Sequence, residues 1–504
     1  MIKETHRRWR WAVALAALAS TMPAFLSAQV PPDETWKTLT TAHFRVTFPE
    51  RIEAVGRRAA HRAERAYGEL SDAFVDPPGG RIDILVTDHT DVSNGYAQVR
   101  PSNRITVFAR PPADAMDLGY FDDWMELVIT HELAHVFHLD KTGTLGRLLR
   151  GVFGRAESQW PFFPGVSIPR WTTEGLATWY ESFFSNAGRV HGTYHEMLLR
   201  TAALEGRFED LDQASGDSPT WPGGTRAYAY GSLFFEHLMD KYGEERMGAF
   251  ADAVAGQWVP YRLNAAGRDA FGNSISDEWR LWTDDVTAKA EALRAQAQVQ
   301  GTPAVQRLTT EGRFALFPRP SPDGGEVAYA AADGRSDAQI RVLPAAGGDV
   351  RRRIRTNAVA NFDWTPGGQI VFTQLEYEGP YRTFGDLYGA DLRGAVRRIT
   401  RGARLSDVSV AGQGDWAVAV QEGGGTDGLV RVDLATGALT SLRAPETDVY
   451  WSFPAVSPDG RWIAVSRWTP GARLDVVVLD AQGRLVLTVT DDRAMDLAPA
   501  WTPD

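Results

Sequence analysis

His131-Glu132-Leu133-Ala134-His135 is the stretch in which residue type and spacing could do chemistry. It lies in an apolar run that Asp123 opens as a helix cap, with Glu126 three residues later as its capping-box partner. On a helix, a spacing of four puts both imidazoles on one face, a turn apart, where they can share a tetrahedral Zn²⁺. Glu132 then stands beside a water in the fourth position, placed to take its proton. Zinc lowers the pKa of such a water to about 7, so a hydroxide-like nucleophile is available at neutral pH.

Two histidines leave the ion one protein ligand short. His138 shares the helical face one turn further along, but a metzincin needs Gly there and His at 141, and this chain has His138 and Lys141. That class is excluded. The stretch Arg170-Trp171-Thr172-Thr173-Glu174-Gly175-Leu176-Ala177-Thr178-Trp179-Tyr180-Glu181 predicts a second helix, capped by Thr172 or Thr173, with Glu174 in its first turn. A carboxylate from that helix completes a His₂Glu site. Small Gly175 and Ala177 are expected to let it pack close against the first.

The two helices, His131 to His135 and Pro169 to Ala177, together resemble the motifs of the gluzincin metallopeptidases, the peptidase MA-like family. The likeness extends over about residues 36 to 300 and includes Asn94-Gly95-Tyr96-Ala97 and Ala270-Phe271-Gly272. It implies His131, His135 and Glu174 as zinc ligands and Glu132 as general base. The stretch from Tyr228 to Leu238 is similar to the Tyr-x-x-Gly helix of gluzincin aminopeptidases, which implies the Tyr228 phenol as donor to a tetrahedral oxyanion. Tyr230 is the rival. The Gly-x-Met-Glu-Asn loop of those aminopeptidases is absent, which argues against their activity. Thr178 stands where some relatives carry an Asp that orients a ligand histidine, so that role passes to Glu181 or a backbone carbonyl. Asn103 to Phe108 is read as an ordinary sheet strand rather than a rim that pairs with substrate, and His89, His191 and His195 as solvent-facing.

Chemistry of this kind needs a scaffold, and 504 residues are too many for one core. From about Thr35 to Gln300, short β-branched runs (Phe44 to Phe48, Ile82 to Thr87, Ile105 to Phe108) mix with long stretches of helical period. This pattern is an α+β domain, assigned to 35–300, which the resemblance implies is zincin-like; its last helix is expected to run from a cap at Ser276 to Gln298. Gly301-Thr302-Pro303 breaks the pattern. Downstream, Ser321-Pro322-Asp323-Gly324 recurs as Thr365-Pro366-Gly367-Gly368, Ala411-Gly412-Gln413-Gly414, Ser457-Pro458-Asp459-Gly460 and Thr502-Pro503-Asp504, at intervals of 44, 46, 46 and 45 residues. A period near 45 with about four strands per unit means propeller blades. The motif resembles the SPDG turn of TolB-like propellers over 304–504. About four blades and a fragment are expected, and the propeller is expected to be truncated at Asp504.

Arg7, Arg8 and Arg10 precede an apolar run from Trp11 to Ala19, and Leu26-Ser27-Ala28 offers a cleavage site, so 1–28 reads as a signal peptide. An uncleaved anchor and a twin-arginine signal are the alternatives. The protein is expected in the periplasm or secreted, with no transmembrane span beyond the signal segment. Formal net charge is -11, a poor background for nucleic acid or for anionic lipid, and there is no cysteine, which removes disulfides and thiolate chemistry. The leading expectation is an exported zinc metallopeptidase that takes a peptide or protein substrate, with the propeller controlling access or binding a protein partner. The alternatives are a non-catalytic envelope scaffold that binds partners through the propeller, and a zinc hydrolase of a non-peptide amide.

Overall fold

The computed structural model describes residues 31–502 apart from 75, 157, 217–220, 302–304, 311, 312 and 360. The expected signal peptide, the break at Thr302-Pro303 and the final Pro503-Asp504 lie outside the described residues. No helix of the described residues is long and apolar enough to cross a membrane.

The first unit is an α+β domain. Strands β1 (Trp36–Thr40), β2 (Phe44–Pro49), β3 (Ile82–Thr87), β4 (Gly95–Gln98) and β5 (Arg104–Phe108) form one sheet in the order β1-β2-β3-β5-β4. β2, β3 and β5 run parallel, and the outer strands β1 and β4 pair antiparallel. A parallel pair needs a crossover, which helix α1 (Glu53–Ala73) supplies between β2 and β3. Alternation does the sorting: Phe44, Val46 and Phe48 are buried while Arg45 between them is exposed. Eight further α-helices follow among the described residues, α2 (Trp124–Leu139), α3 (Thr144–Phe153), α4 (Arg170–Phe183), α5 (Thr193–Leu204), α6 (Arg226–Tyr242), α7 (Glu245–Ala255), α8 (Leu263–Phe271) and α9 (Ile275–Gln300).

α2 is the axis of this domain. Of its residues from Trp124 to His138, Glu126 alone escapes burial, as expected of a helix that is apolar all round and passes through a core. Phe137 packs against Tyr67 and Phe74 of the α1 region, with ring centroids 5.3 and 5.6 Å apart. The cap of α9 differs from the sequence expectation. Ser274 caps it, its Oγ accepting from Asp277 N at 3.1 Å, because Ser276 is already engaged through N and Oγ with Asn264 Oδ1.

The second unit is a four-bladed β-propeller. Each blade is a four-stranded antiparallel sheet: β6–β9 within 314–355, β10–β13 within 362–398, β14–β17 within 405–443 and β18–β21 within 450–488. The recurrent turn explains itself at atomic scale. Ser321 Oγ donates to Asp323 Oδ1 at 2.6 Å and accepts from Glu326 N, while Gly324 takes φ +69°. Ser457, Asp459 and Gly460 repeat the arrangement in the fourth blade. The period also appears as contacts one repeat apart. Trp364 Nε1 donates to Arg319 O across 45 residues, and Phe453 N to Asp407 across 46.

The two units share a core. Tyr450, Trp468 and Leu474 of the fourth blade belong to the same hydrophobic cluster as the first domain. Trp468 stacks on Phe121 at 4.8 Å and donates through Nε1 to its carbonyl. The third blade is joined to the first domain by ion pairs, Arg404 with Asp88 and Asp91 at 2.7 Å each and Glu422 with Arg110 at 2.9 Å.

Candidate metal centre

Asp123 starts α2 as expected, its Oδ1 accepting from Met125 N and Glu126 N, while Arg58 and Arg62 hold its other oxygen at 2.9 Å. The Glu126 carboxylate turns instead to Arg65 at 2.9 Å. Two turns on, the spacing of four brings the His131 and His135 rings to 4.8 Å, nearly perpendicular at 87°.

α4 brings the third group. Its start differs from the expectation: Pro169 occupies the cap position, with Thr172 N and Thr173 N bonded to its carbonyl, and Ser215 Oγ accepts from the first-turn Trp171 N at 3.1 Å. Proline enters extended with φ fixed, so neither threonine is needed. Glu174 is therefore the fifth helical residue rather than a first-turn carboxylate, and the helix dipole does not account for it. Its Oε2 lies 3.2 Å from His135 Nε2 and 3.7 Å from His131 Nε2.

These spacings can be set against an ion's demands. Zinc bonds of about 2.0–2.1 Å at tetrahedral angles put neighbouring donor atoms roughly 3.3 Å apart. The donor atoms of His131, His135 and Glu174 all lie within 4.8 Å of one another. Two neutral nitrogens and one carboxylate are also the donor chemistry zinc takes, so the residues fit the group. The charges agree. Burial opposes protonation of His131, yet Glu174 and Glu181 raise it to about 9. Burial would raise Glu174, but the two imidazoles hold it far below the usual carboxylate range. Two carboxylates against two imidazoles thus favour positive charge here, carried by the protonated His131 where no ion is bound.

Glu181, one of the two groups expected to orient a histidine, accepts from His131 Nδ1 at 2.8 Å. A carboxylate can only accept, so the bond to Glu181 puts the proton on Nδ1 and turns the Nε2 lone pair to the centre, with Arg189 Nη2, itself a donor, 3.0 Å from the same Nδ1. Burial works against the charge of Glu181, and Arg189 with His131 brings it down to about 2.

Arg189 is the residue that sequence reasoning missed. Its Nε and Nη2 donate to Glu181 at 2.7 Å each, and its guanidinium stands 4.8 Å from the Tyr228 ring centroid. It lies in the connection between α4 and α5, and no spacing marks it in the sequence.

Glu132 is buried beside the centre, and burial pushes its carboxyl up. β4 approaches it closely because residue 95 is glycine: a Cβ there would meet Val128 Cγ2 at 2.6 Å and Glu132 Oε1 at 3.0 Å. The two tyrosines separate. Tyr228 faces the centre, 6.3 Å from the His131 ring, and burial and Glu174 push its phenol up to about 12. Tyr230 sits in the core, stacked on Trp279, its hydroxyl accepting from Glu209 N. A groove of about 700 Å³ opens over these groups, with Asn94 to Ala97 on one wall and Ile168 and Thr173 among the residues facing it. The rim is β4, an edge strand; the strand over 103–108 became the interior neighbour β5.

Three other expectations are corrected. Gly175 opens the approach of α6, not of α2, since a Cβ there would meet Gly231 backbone at 2.4 Å. His89 and His195 are buried rather than solvent-facing. His89 bonds Thr87 and Glu34, and His195 Nδ1 lies 3.4 Å from Ser232 Oγ. Thr87 and Glu34 take both ring nitrogens of His89 and Ser232 faces one of His195, contacts that a single sequence does not reveal. His138 is also core, and burial drives it down to about 3.

Fold and site thus define a two-part chain: an α+β domain with a His₂Glu donor cluster, joined to a four-bladed propeller. No family model matches it, and no curated protein does. Among solved structures it is similar to TolB from Acinetobacter baumannii, at 21% identity and a TM-score of 0.30, over 35% of this chain and 43% of that one. It is also similar to a putative TolB from Agrobacterium tumefaciens, at 20% identity and a TM-score of 0.31, over 36% of this chain and 68% of that one.

Proposed function

We propose that the protein is an exported zinc-dependent metallopeptidase of the gluzincin type. The observation that carries this reading is the 3.2 and 3.7 Å approach of Glu174 to His135 and His131, near the edge length of a zinc tetrahedron. Bound there, zinc supplies Lewis acidity and an acidified water. The rest is done by the chain. His131, His135 and Glu174 hold the ion, and Glu181 fixes the His131 tautomer. Glu132, buried beside the donors, takes the proton of the attacking water and returns it to the leaving amine nitrogen. The Tyr228 hydroxyl donates to the oxygen on which charge develops. The free edge of β4 offers backbone groups to an extended peptide. Export rests on the basic and apolar pattern of residues 1–28.

Zinc analysis and peptide cleavage test this together. Glu132→Gln is expected to keep one zinc per chain while turnover falls by about 10² to 10⁴-fold. Undiminished turnover in that variant ends the assignment of Glu132.

One observation favours a second reading, a scaffold that takes a protein partner on the propeller. Among the described residues lining the groove, only Arg313, at the propeller's entry, comes from that half of the chain. The blades therefore serve something other than the groove. A chain that binds zinc but cleaves no member of a broad peptide library would belong to this second class.

A further inference from the structure

Helix α3 turns its apolar arc outward. At 100° per residue, Leu145, Leu148, Leu149, Val152 and Phe153 fall on one side of Thr144–Phe153, with Arg147 and Arg150 on the other. A surface helix of a globular protein points such an arc at the core. Here only Gly146 is buried, while Leu148, Val152 and Phe153 are 66%, 68% and 66% exposed.

The helix is fixed in this attitude. A Cβ on Gly146 would meet Thr142 Oγ1 at 1.8 Å and Pro161 O at 2.3 Å, so its polar side is pressed against the following loop. Arg150 donates to Asp140 at 2.9 Å and lies over the Phe163 ring.

A second apolar segment lies beside it. Trp258 and Tyr261 are 73% and 67% exposed, with Val259 between them. Trp160 Nε1 donates to Gln257 O, and a Cβ on Gly143 would meet Ala255 O at 2.8 Å, so the two segments are neighbours. Leu145, Arg147 and Arg150 of the helix and Trp258 of the second segment line one cleft of about 730 Å³, while Leu148, Val152 and Phe153 lie outside it.

The charge of this face opposes that of the chain. Residues 141–156 and 256–262 contain Lys141, Arg147, Arg150, Arg155 and Arg262 and no acidic residue, in a protein of net charge -11. Glu157 follows this span directly in sequence, Asp76 lines the cleft, and Asp140 and Asp252 pair with Arg150, Arg155 and the buried Lys141, so Arg147 and Arg262 carry the excess positive charge of the face.

We propose that this face docks on a lipid bilayer with anionic headgroups. Leu148, Val152 and Phe153 enter the acyl boundary, Trp258 and Tyr261 sit at headgroup level, and Arg147 and Arg262 meet the phosphates. A second copy of the chain is the poorer occupant, because an isologous contact would press this cationic face against itself. The docking is independent of the zinc reading.

The absence of cysteine gives a clean test in the full chain. Val152→Cys, labelled with an environment-sensitive fluorophore, should blue-shift and brighten severalfold on vesicles of phosphatidylglycerol and phosphatidylcholine. The same label at Tyr377→Cys, on an exposed propeller site, should not respond. The two proteins share residues 1–28, so the difference reports the face. Arg147→Glu with Arg262→Glu should weaken the response at 152 about tenfold or more. The proposal is overturned by a silent probe at 152, which leaves the face to a protein partner. It is equally overturned by equal signals from 152 and 377, an undiminished response on phosphatidylcholine alone, or a response to protein concentration without lipid.

Discussion

One carboxylate, Glu181, holds both His131 Nδ1 and the Arg189 guanidinium, so neighbouring side chains depend on it for orientation. Glu181→Gln keeps the volume but removes the charge, leaving Arg189 buried against a neutral amide. Groups that orient a ligand histidine typically contribute 10 to 100-fold in metal affinity, so zinc binding is expected to weaken by about that factor. Competition with a chromophoric chelator measures it, and unchanged affinity would show that the proton on Nδ1 needs no anion. At this scale the sequence is legible where spacing encodes geometry. The interval of four between His131 and His135 is helical geometry, and Glu174 stands out by its position in a helix with small residues. Arg189 has no such mark, because it reaches Glu181 through loop geometry. The burial of His89 and His195 depends on Glu34, Thr87 and Ser232, which no local pattern connects to them.

Between elements, the contact that sets the metal centre is the crossing of α4 and α6. A Cβ on Gly231 would lie 2.0 Å from Trp171 O, and one on Gly175 would lie 2.4 Å from Gly231 backbone. Backbone cannot step aside as a flexible side chain can. Gly231→Ala is expected to cost about 1–3 kcal/mol by overpacking. It should also move Tyr228 away from Glu174, lowering kcat more than it raises KM. Gly68→Ala is the opposite case. That residue lies within α1 with nothing inside 4 Å of its prospective Cβ, so alanine should stabilise by about 0.5–1 kcal/mol. Denaturant unfolding of the two variants should give opposite signs; a shared sign would refute the crossing as a steric constraint. The elements themselves were largely readable, because alternation over Phe44 to Phe48 and the 45-residue period of turns are local signals. Their starts were not. Ser274 and Ser276 are equally good caps by type, and only Asn264, brought in from the preceding helix, decides between them.

At the scale of the whole chain, the change in composition near residue 300 separates the two units, whereas their junction is invisible in sequence. Arg404 meets Asp88 across 316 residues, and no period or motif announces such a pair. Arg404→Ala would leave the buried Asp91 without its paired cation and Asp88 with Arg51 alone, and is expected to cost about 3–5 kcal/mol, splitting one cooperative unfolding transition into two. Calorimetry distinguishes that from a uniform loss. The same junction makes stability depend on pH. Asp407 in β14 accepts from Asn361 and from Phe453 N, tying three blades together. Burial, reinforced by the Asp114 charge, pushes its carboxyl from the ordinary 3.8 up to about 7. Between those values the unfolded chain releases the proton that the folded chain keeps. The folded state then binds more protons, so stability from this group falls as pH rises through the window and is level on either side. Asp91, Glu422 and Asp427 are raised by burial too and add the same sign. Asp407→Asn removes one titrating group while its amide oxygen can still accept from Phe453 N. With chelator present throughout, so that the metal centre contributes equally, its unfolding midpoint should vary less between pH 4 and 7 than that of the parent chain. Parallel profiles would mean that Asp407 is ionised in the folded propeller and that its charge is already balanced at the junction.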